Sequence, residues 1–220
     1  MFLSLVNTIN RKRESEDYTM AMIDLSKLEP RHAHDLLASS MIPRPIAWVS
    51  TISASGVVNL APFSFFTGVS WNPPLVAFSP VNRADGTKKD TVRNIEEVPE
   101  FVIHIVSEEL LKPMEKSAKP LRAGEDVNIA GITLVPSETV KPLRIREAKI
   151  AYECSLEKIE RVTEGADAGN LIIGRVKLLH ALDELIADGR NVDYRVLDPL
   201  GRLSGNAYCT VENVIESETN

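Results

Sequence analysis

Residues 41–91, MIPRPIAWVSTISASGVVNLAPFSFFTGVSWNPPLVAFSPVNRADGTKKDT, decide how the rest of this chain is read. Six of the chain's twelve aromatic residues fall inside them: Trp48, Phe63, Phe65, Phe66, Trp71 and Phe78. Between the rings stand Ser50, Thr51, Asn59, Ser64 and Ser79. A basic, hydroxyl-bearing turn, Lys88-Lys89-Asp90-Thr91, closes the stretch just before a helical pattern. A flat apolar ligand ending in a phosphate fits that mixture. An aromatic core strand followed by a solvated basic turn fits it as well, and composition alone does not separate the two.

The local pattern is extended. Pro43 and Pro45 restrict the residues before them as well as themselves, which forces an extended entry. Residues 46–53 are rich in β-formers, Ser55-Gly56 is a turn signal and residues 57–60 return, so the pair predicts a hairpin that Ala61-Pro62 ends. Trp71-Asn72-Pro73-Pro74 reads as a loop delivering the apolar strand 75–78. Val92, Ile95 and Val98 then recur at helical spacing, with Asp90 as N-cap and the amino end toward Lys88 and Lys89.

Working outward, residues 100–106 (EFVIHIV) are apolar on both faces and predict a buried strand, in which His104 is a satisfied core or interface histidine. Ser107 caps a helix that Pro113 interrupts. Residues 120–146 offer a turn at Gly124 and a short strand over 131–135. Residues 148–161 and 170–180 read as long antiparallel partners around an acidic turn, 183–193 as a short helix and loop, and 201–211 as a final strand broken at Gly205. Upstream, Pro30 opens a helix that reaches Ser40. His32 and His34 lie two apart on it and point in different directions, so they cannot share a metal. About seven or eight mostly antiparallel strands, with helices confined to the middle, predict a mainly β fold: a closed or nearly closed barrel with helical additions.

At 220 residues the chain suits one domain with a full core, taken as residues 23–215. A formal charge of −6, with Arg11-Lys12-Arg13 as its basic cluster, argues against nucleic acid and anionic membrane as partners. Cys154 and Cys209 form no CxxC pair, so a disulfide framework or zinc site has no support, and reduced cytoplasmic thiols are expected. The apolar opening MFLSLV is too short for an export signal or a membrane span. Residues 1–22 are read as a flexible extension, or in part as the product of a start codon upstream of Met20 or Met22. GxGxxG after a strand, GxxxxGK[ST], GxSxG and HExxH are all absent, which removes the usual nucleotide-fold and hydrolase signatures.

A flavin mononucleotide asks for a flat apolar wall with donors and acceptors at its pyrimidine edge. It also asks for polar partners along the ribityl chain, and for cations and free N–H groups at the phosphate. Phe63 and Phe65 offer the wall, and the backbone about Asn59, Leu60 and Ala61 with the Ser64 side chain offers the polar edge. Lys89 and Thr91, at a helix amino terminus, offer the phosphate site.

The segments PRPIAWVST (43–51), NLAPFSFF (59–66), NPPLVAFS (72–79) and KDTVRNI (89–95), followed by EFVIHIV, closely resemble the flavin reductase-like family with the FMN-binding split-barrel fold. The resemblance runs from about residue 23 to 211 in one order, which is far more specific than any single segment. It implies a homodimer of antiparallel Greek-key barrels, six-stranded in the family, binding FMN non-covalently near the subunit interface. It further implies Ser50 and Thr51 as ribityl or phosphate contacts and Asn59, Ala61, Phe63 and Ser64 as the flavin-ring loop. Ser79, Arg83, Lys89 and Thr91 fall on the phosphate side, where Lys88 can exchange roles with Lys89. His180, ending a Gly-x-Val strand, is the candidate for the face where substrate stacks, or else an exposed strand-end histidine. His104 departs from the family, which often has Asn there. The implied activity is NAD(P)H-dependent reduction of flavin, with NADH or NADPH as donor and a monooxygenase or electron-transfer protein as possible partner. The alternative is a flavoredoxin-like FMN electron carrier without nicotinamide turnover.

Overall fold

The computed structural model describes residues 9–15, 18–118, 131–186 and 188–217. They divide into two units, Met1–Ile42 with Leu203–Asn206 and Pro43–Arg202 with Ala207–Asn220. The turn predicted at Gly124 and residues 1–8 lie outside the described residues. In the first unit, β1 (Ile9–Ser15) pairs antiparallel with β2 (Tyr18–Ile23), where the sequence predicts an extension without regular structure. Backbone pairing of this kind needs no apolar stripe, so periodicity did not announce it. Asp24 caps a single tight turn, and α1 (Pro30–Ser40) follows with its proline at the first helical position.

The second unit carries the remaining elements. Five strands open it: β3 (Arg44–Pro45), β4 (Ala47–Ile52), β5 (Val58–Phe63), β6 (Phe66–Trp71) and β7 (Pro74–Phe78). Then come α2 (Asp90–Glu97), β8 (Glu100–Ile105), α3 (Leu111–Ser117), β9 (Leu134–Val135) and β10 (Arg144–Ile145). The long partners β11 (Ile150–Arg161) and β12 (Asn170–Ala181) precede α4 (Tyr194–Leu197), β13 (Gly201–Arg202) and β14 (Tyr208–Cys209). Seven strands form one antiparallel sheet in the order β5-β4-β8-β11-β12-β7-β6. The neighbours β4–β8 and β12–β7 are non-consecutive, the crossover pattern of Greek-key folds. No helix of the described residues is long and apolar enough to cross a membrane.

Four local expectations change. Strand β5 runs on through Pro62, because it is the terminal strand of the sheet and a missing N–H is tolerated at an edge. Lys89, not Asp90, occupies the N-cap of α2. Pro113 sits inside the first turn of α3, where its lacking N–H has no helical acceptor to miss. The final strand is two short ones, β13 and β14, with Gly205 at φ +56 between them.

The inner face of the sheet packs Val49, Phe63, Phe78, Phe101, Ile103, Cys154 and Ile172 with Val92 and Ile95 of α2. Phe78 is the middle ring, 5.3 Å from Phe63 and 5.5 Å from Phe101 between centroids. Gly174 is required here, since a Cβ at that position would overlap the Phe101 ring. On the outer face, Trp48, Leu60, Val106, Leu110, Met114 and Ile145 form a second cluster.

His104 lies on that outer face with no exposed surface. Its Nδ1 is 2.9 Å from the Trp48 carbonyl, and its Nε2 accepts the Ile145 N–H at 2.9 Å, so both nitrogens are used and the ring is neutral with the proton on Nδ1. Burial pushes its pKa down to about 4. Because the folded value is below the unfolded one, the contribution to stability is complete above about pH 6.5 and is lost as pH falls toward 4. Between pH 7.5 and 4.5 this group alone should remove roughly 2 to 3 kcal/mol. Urea midpoints over that window should therefore fall more steeply for the wild type than for His104→Asn. Parallel slopes would show that His104 does not control the acid limb.

Candidate functional site

The site forms where α2 meets the β4–β5 hairpin. Directly opposed residues of an antiparallel pair share a face. The register Thr51↔Asn59, Val49↔Ala61 and Ala47↔Phe63 puts Thr51, Asn59, Ala61 and Phe63 on the inner face, and Ser50↔Leu60 with Trp48↔Pro62 on the outer. Asn59 donates from Nδ2 to Thr51 Oγ1 at 3.3 Å and to Thr91 Oγ1 at 3.0 Å. Asn94, three residues beyond Thr91 on α2, donates to the same Thr51 hydroxyl at 3.0 Å. Thr51 and Thr91 are buried, so their hydroxyls pin the amino end of α2 to the hairpin.

That junction aims the cations. Lys89 caps α2, and its Nζ lies over the Phe63 ring, 5.6 Å from the centroid. Its neighbours are committed elsewhere. Lys88 pairs with Glu96, Arg83 donates to the Lys88 carbonyl and to Asp90 Oδ2 at 2.8 Å, and Arg93 also reaches Asp90. Among the described residues the Lys89 ammonium has neither a hydrogen bond nor an ion pair. Burial presses its ammonium below the usual lysine range and the Arg83 charge adds to the shift, with Asp167 opposing them.

The loop that carries Arg83 is tied to the β11–β12 turn. Asn82 donates to the Ala168 carbonyl at 2.9 Å through its backbone and to the Gly165 carbonyl at 3.0 Å through its side chain, and Asn170 donates to Asn82 Oδ1 at 2.8 Å. Ser79 donates its N–H to the half-buried Phe65 carbonyl at 2.9 Å. Ser64 accepts from Arg44 Nε at 3.3 Å, and Arg44 is itself buried.

Thr51, Asn59, Ala61, Phe63, Lys89 and Thr91 are thus brought to one corner, with Arg83 and Lys88 beside it. The Ser50 and Leu60 side chains are turned into the outer face and buried there, and Ser50 Oγ has no partner among the described residues. His180 is not in the corner. It lies on β12, with Nε2 2.6 Å from Glu153 Oε1. Glu153 is fully buried and accepts the Glu138 and Thr139 N–H groups at 2.8 and 2.6 Å and the Thr139 hydroxyl at 2.6 Å. Burial raises this carboxyl, but the Thr139 hydroxyl, the two N–H groups and His180 outweigh it and hold the pKa at about 2. An ionised carboxylate only accepts, so His180 Nε2 carries the hydrogen.

Residues 38–193 match the Flavin reductase like domain. The chain belongs to that family. Relatives agree along nearly its whole length. An uncharacterised protein of Halalkalibacterium halodurans, BH2278, is 41% identical over 184 residues, 82% of this chain and 88% of its own length. Nitrilotriacetate monooxygenase component B of Bacillus cereus superposes with a TM-score of 0.86 at 35% identity, covering 91% of this chain and all of the other (100%). The 2-nitrobenzoate 2-nitroreductase NbaA of Pseudomonas fluorescens gives 0.81 at 29% identity, over 90% and 96% of the two chains. The seven-stranded sheet is accordingly that of a split barrel.

Three residues of this flavin reductase like chain that organise the geometry were not singled out in the sequence. Asn94 was within reach, since Thr91 and Asn94 are three apart and share a helix face. Glu153 showed only as a carboxylate at alternating position in an apolar strand. Arg44 carried no signal, because its partner Ser64 lies 20 residues away.

Proposed function

We propose that this chain binds FMN and catalyses NAD(P)H-dependent reduction of flavin as a homodimer. Lys89 carries the reading. A half-buried cation beside a second cation and an aromatic ring, with no anion in hydrogen-bond or ion-pair contact among the described residues, is an arrangement that a phosphate completes. The amino end of α2 adds N–H groups and a favourable dipole to the same spot. The rest of the corner fits the remainder of the group. Strand β5 is terminal in the sheet, so alternate N–H and C=O groups along Asn59, Leu60 and Ala61 face away from β4, toward a pyrimidine edge. Phe63 and the half-buried Phe65 supply apolar surface, Ser79 and Ser64 lie close to the same turn, and Asn59 offers an amide already oriented by Thr51 and Thr91.

When bound, FMN supplies the redox chemistry. The protein positions it, and no side chain of the corner needs to act as acid or base. Thr51, Thr91 and Asn94 fix the helix, Lys89 holds negative charge, and Arg83 stiffens the turn beneath it. The Bacillus cereus relative is named as a component of a monooxygenase, which supports a protein partner that consumes reduced flavin. A carrier that exchanges electrons with a partner and never accepts reducing equivalents from nicotinamide is the competing reading.

Lys89→Ala removes a charge-assisted contact worth roughly 1.5–3 kcal/mol, so FMN affinity should fall about ten- to a hundred-fold. Riboflavin, which lacks the phosphate, should bind both proteins alike. Equal FMN affinity in the two proteins would remove Lys89 from the site.

Anaerobic mixing of the FMN-loaded protein with NADH and with NADPH should bleach the flavin absorbance within seconds for at least one donor. A yellow solution that persists with both would favour the carrier.

A further inference from the structure

The Asp167 carboxylate lies beside the Lys89 corner without touching it. The turn between β11 and β12, which carries Asp167, is clamped to the loop on the phosphate side. Val81 and Gly169 form a bridge, and Asn82 holds the Gly165 and Ala168 carbonyls. A Cβ on Gly86 would lie 3.7 Å from the Gly165 carbonyl carbon, so the two turns are in contact distance of one another. The loop is also closed on itself, by the Arg83 N–H to the Thr87 carbonyl at 2.8 Å and the Gly86 N–H to the Arg83 carbonyl at 2.9 Å. Two stiff turns therefore run side by side. Lys89 follows one, and Asp167 sits in the other.

The charges around them are mostly spoken for. Lys88 pairs with Glu96, Asp90 pairs with Arg83 and Arg93, and Asp85 accepts the Thr87 N–H and hydroxyl at 2.9 and 2.6 Å. The Lys89 ammonium and the Asp167 carboxylate have neither a hydrogen bond nor an ion pair among the described residues. They still act on one another. Burial and then the Arg83 charge lower the ammonium pKa, and the Asp167 charge opposes them. A charge that reaches Lys89 also reaches an anion seated on Lys89, with the opposite sign. Asp167 is exposed, so water and salt screen its field and the effect is one of degree.

We propose that Asp167 sets how tightly the corner holds its anion: the carboxylate repels a bound phosphate and keeps the flavin exchangeable. The inference rests on the flavin-site reading above. A phosphate monoester carries between one and two negative charges near neutral pH and feels this repulsion, whereas an uncharged ring does not. A loosened hold suits a flavin that is reduced on this protein and then consumed by another.

Titration of FMN and riboflavin against the full-length wild type, Asp167→Asn, Asp167→Gly and Glu164→Gln tests this. Asp167 takes φ +56, which asparagine tolerates as aspartate does and glycine adopts freely, so both substitutions remove the charge and keep the turn. At low salt both should bind FMN about two- to fivefold more tightly than the wild type and release it more slowly, with riboflavin unchanged. The gain should shrink as salt is raised to about 0.5 M. Glu164, in the same turn, is not among the charges that act on Lys89, so Glu164→Gln should bind FMN as the wild type does.

FMN binding that is unchanged or weaker in both Asp167 variants overturns the proposal. An equal gain for riboflavin or in Glu164→Gln, or a gain indifferent to salt, overturns it too. A Lys89→Ala protein that binds FMN like the wild type overturns the flavin-site reading and this proposal with it. Weakened binding in Lys89→Ala without a gain in the Asp167 variants overturns the role of Asp167 alone.

Discussion

A half-buried ammonium with no ion-pair partner among the described residues is the constraint on which this structure turns. Lys89 is kept over Phe63 because α2 has nowhere else to go: Val92 and Ile95 are buried in the barrel core, and Asn59 and Asn94 tie Thr51 and Thr91 together beneath the first turn. The apolar seam fixes the helix, and the helix fixes the charge. An exposed lysine would reach water and need no partner; this one is held out of ion-pair contact among the described residues by the packing of residues three and six positions further on.

Much of the fold was legible because it rests on local rules. The β4–β5 hairpin follows from a β-rich run, a Ser-Gly turn and a returning run. The amphipathic spacing of Val92 and Ile95 marks α2, and alternation marks β11. The misreadings were at ends and edges, where tertiary context overrides local preference. Pro62 breaks a strand only if its N–H is needed, and at the sheet edge it is not. The strand predicted over 201–211 is two short ones, since Gly205 takes a positive φ that turns the chain between them.

The candidate site was legible as a set of residue types and much less so as a set of partners. Lys88 and Lys89 are adjacent and chemically identical, and what distinguishes them is Glu96, eight residues on, which claims Lys88. Ser50 and Thr51 are also adjacent, yet a strand sends consecutive side chains to opposite faces, so one is buried among outer-face residues while the other braces the corner. His180 belongs to a third category. Its motif drew attention to it, but only the five-strand register shows how far it lies from Lys89 in the same chain.

The proposed function leaves bond making to a flavin and asks the protein to hold a phosphate, in an antiparallel sheet without the Rossmann crossover that holds a dinucleotide. Identifying the flavin that the purified protein releases on denaturation tests that reading most directly. The structure predicts a yellow protein that yields FMN and not FAD. A colourless protein that also fails to take up added FMN would contradict it.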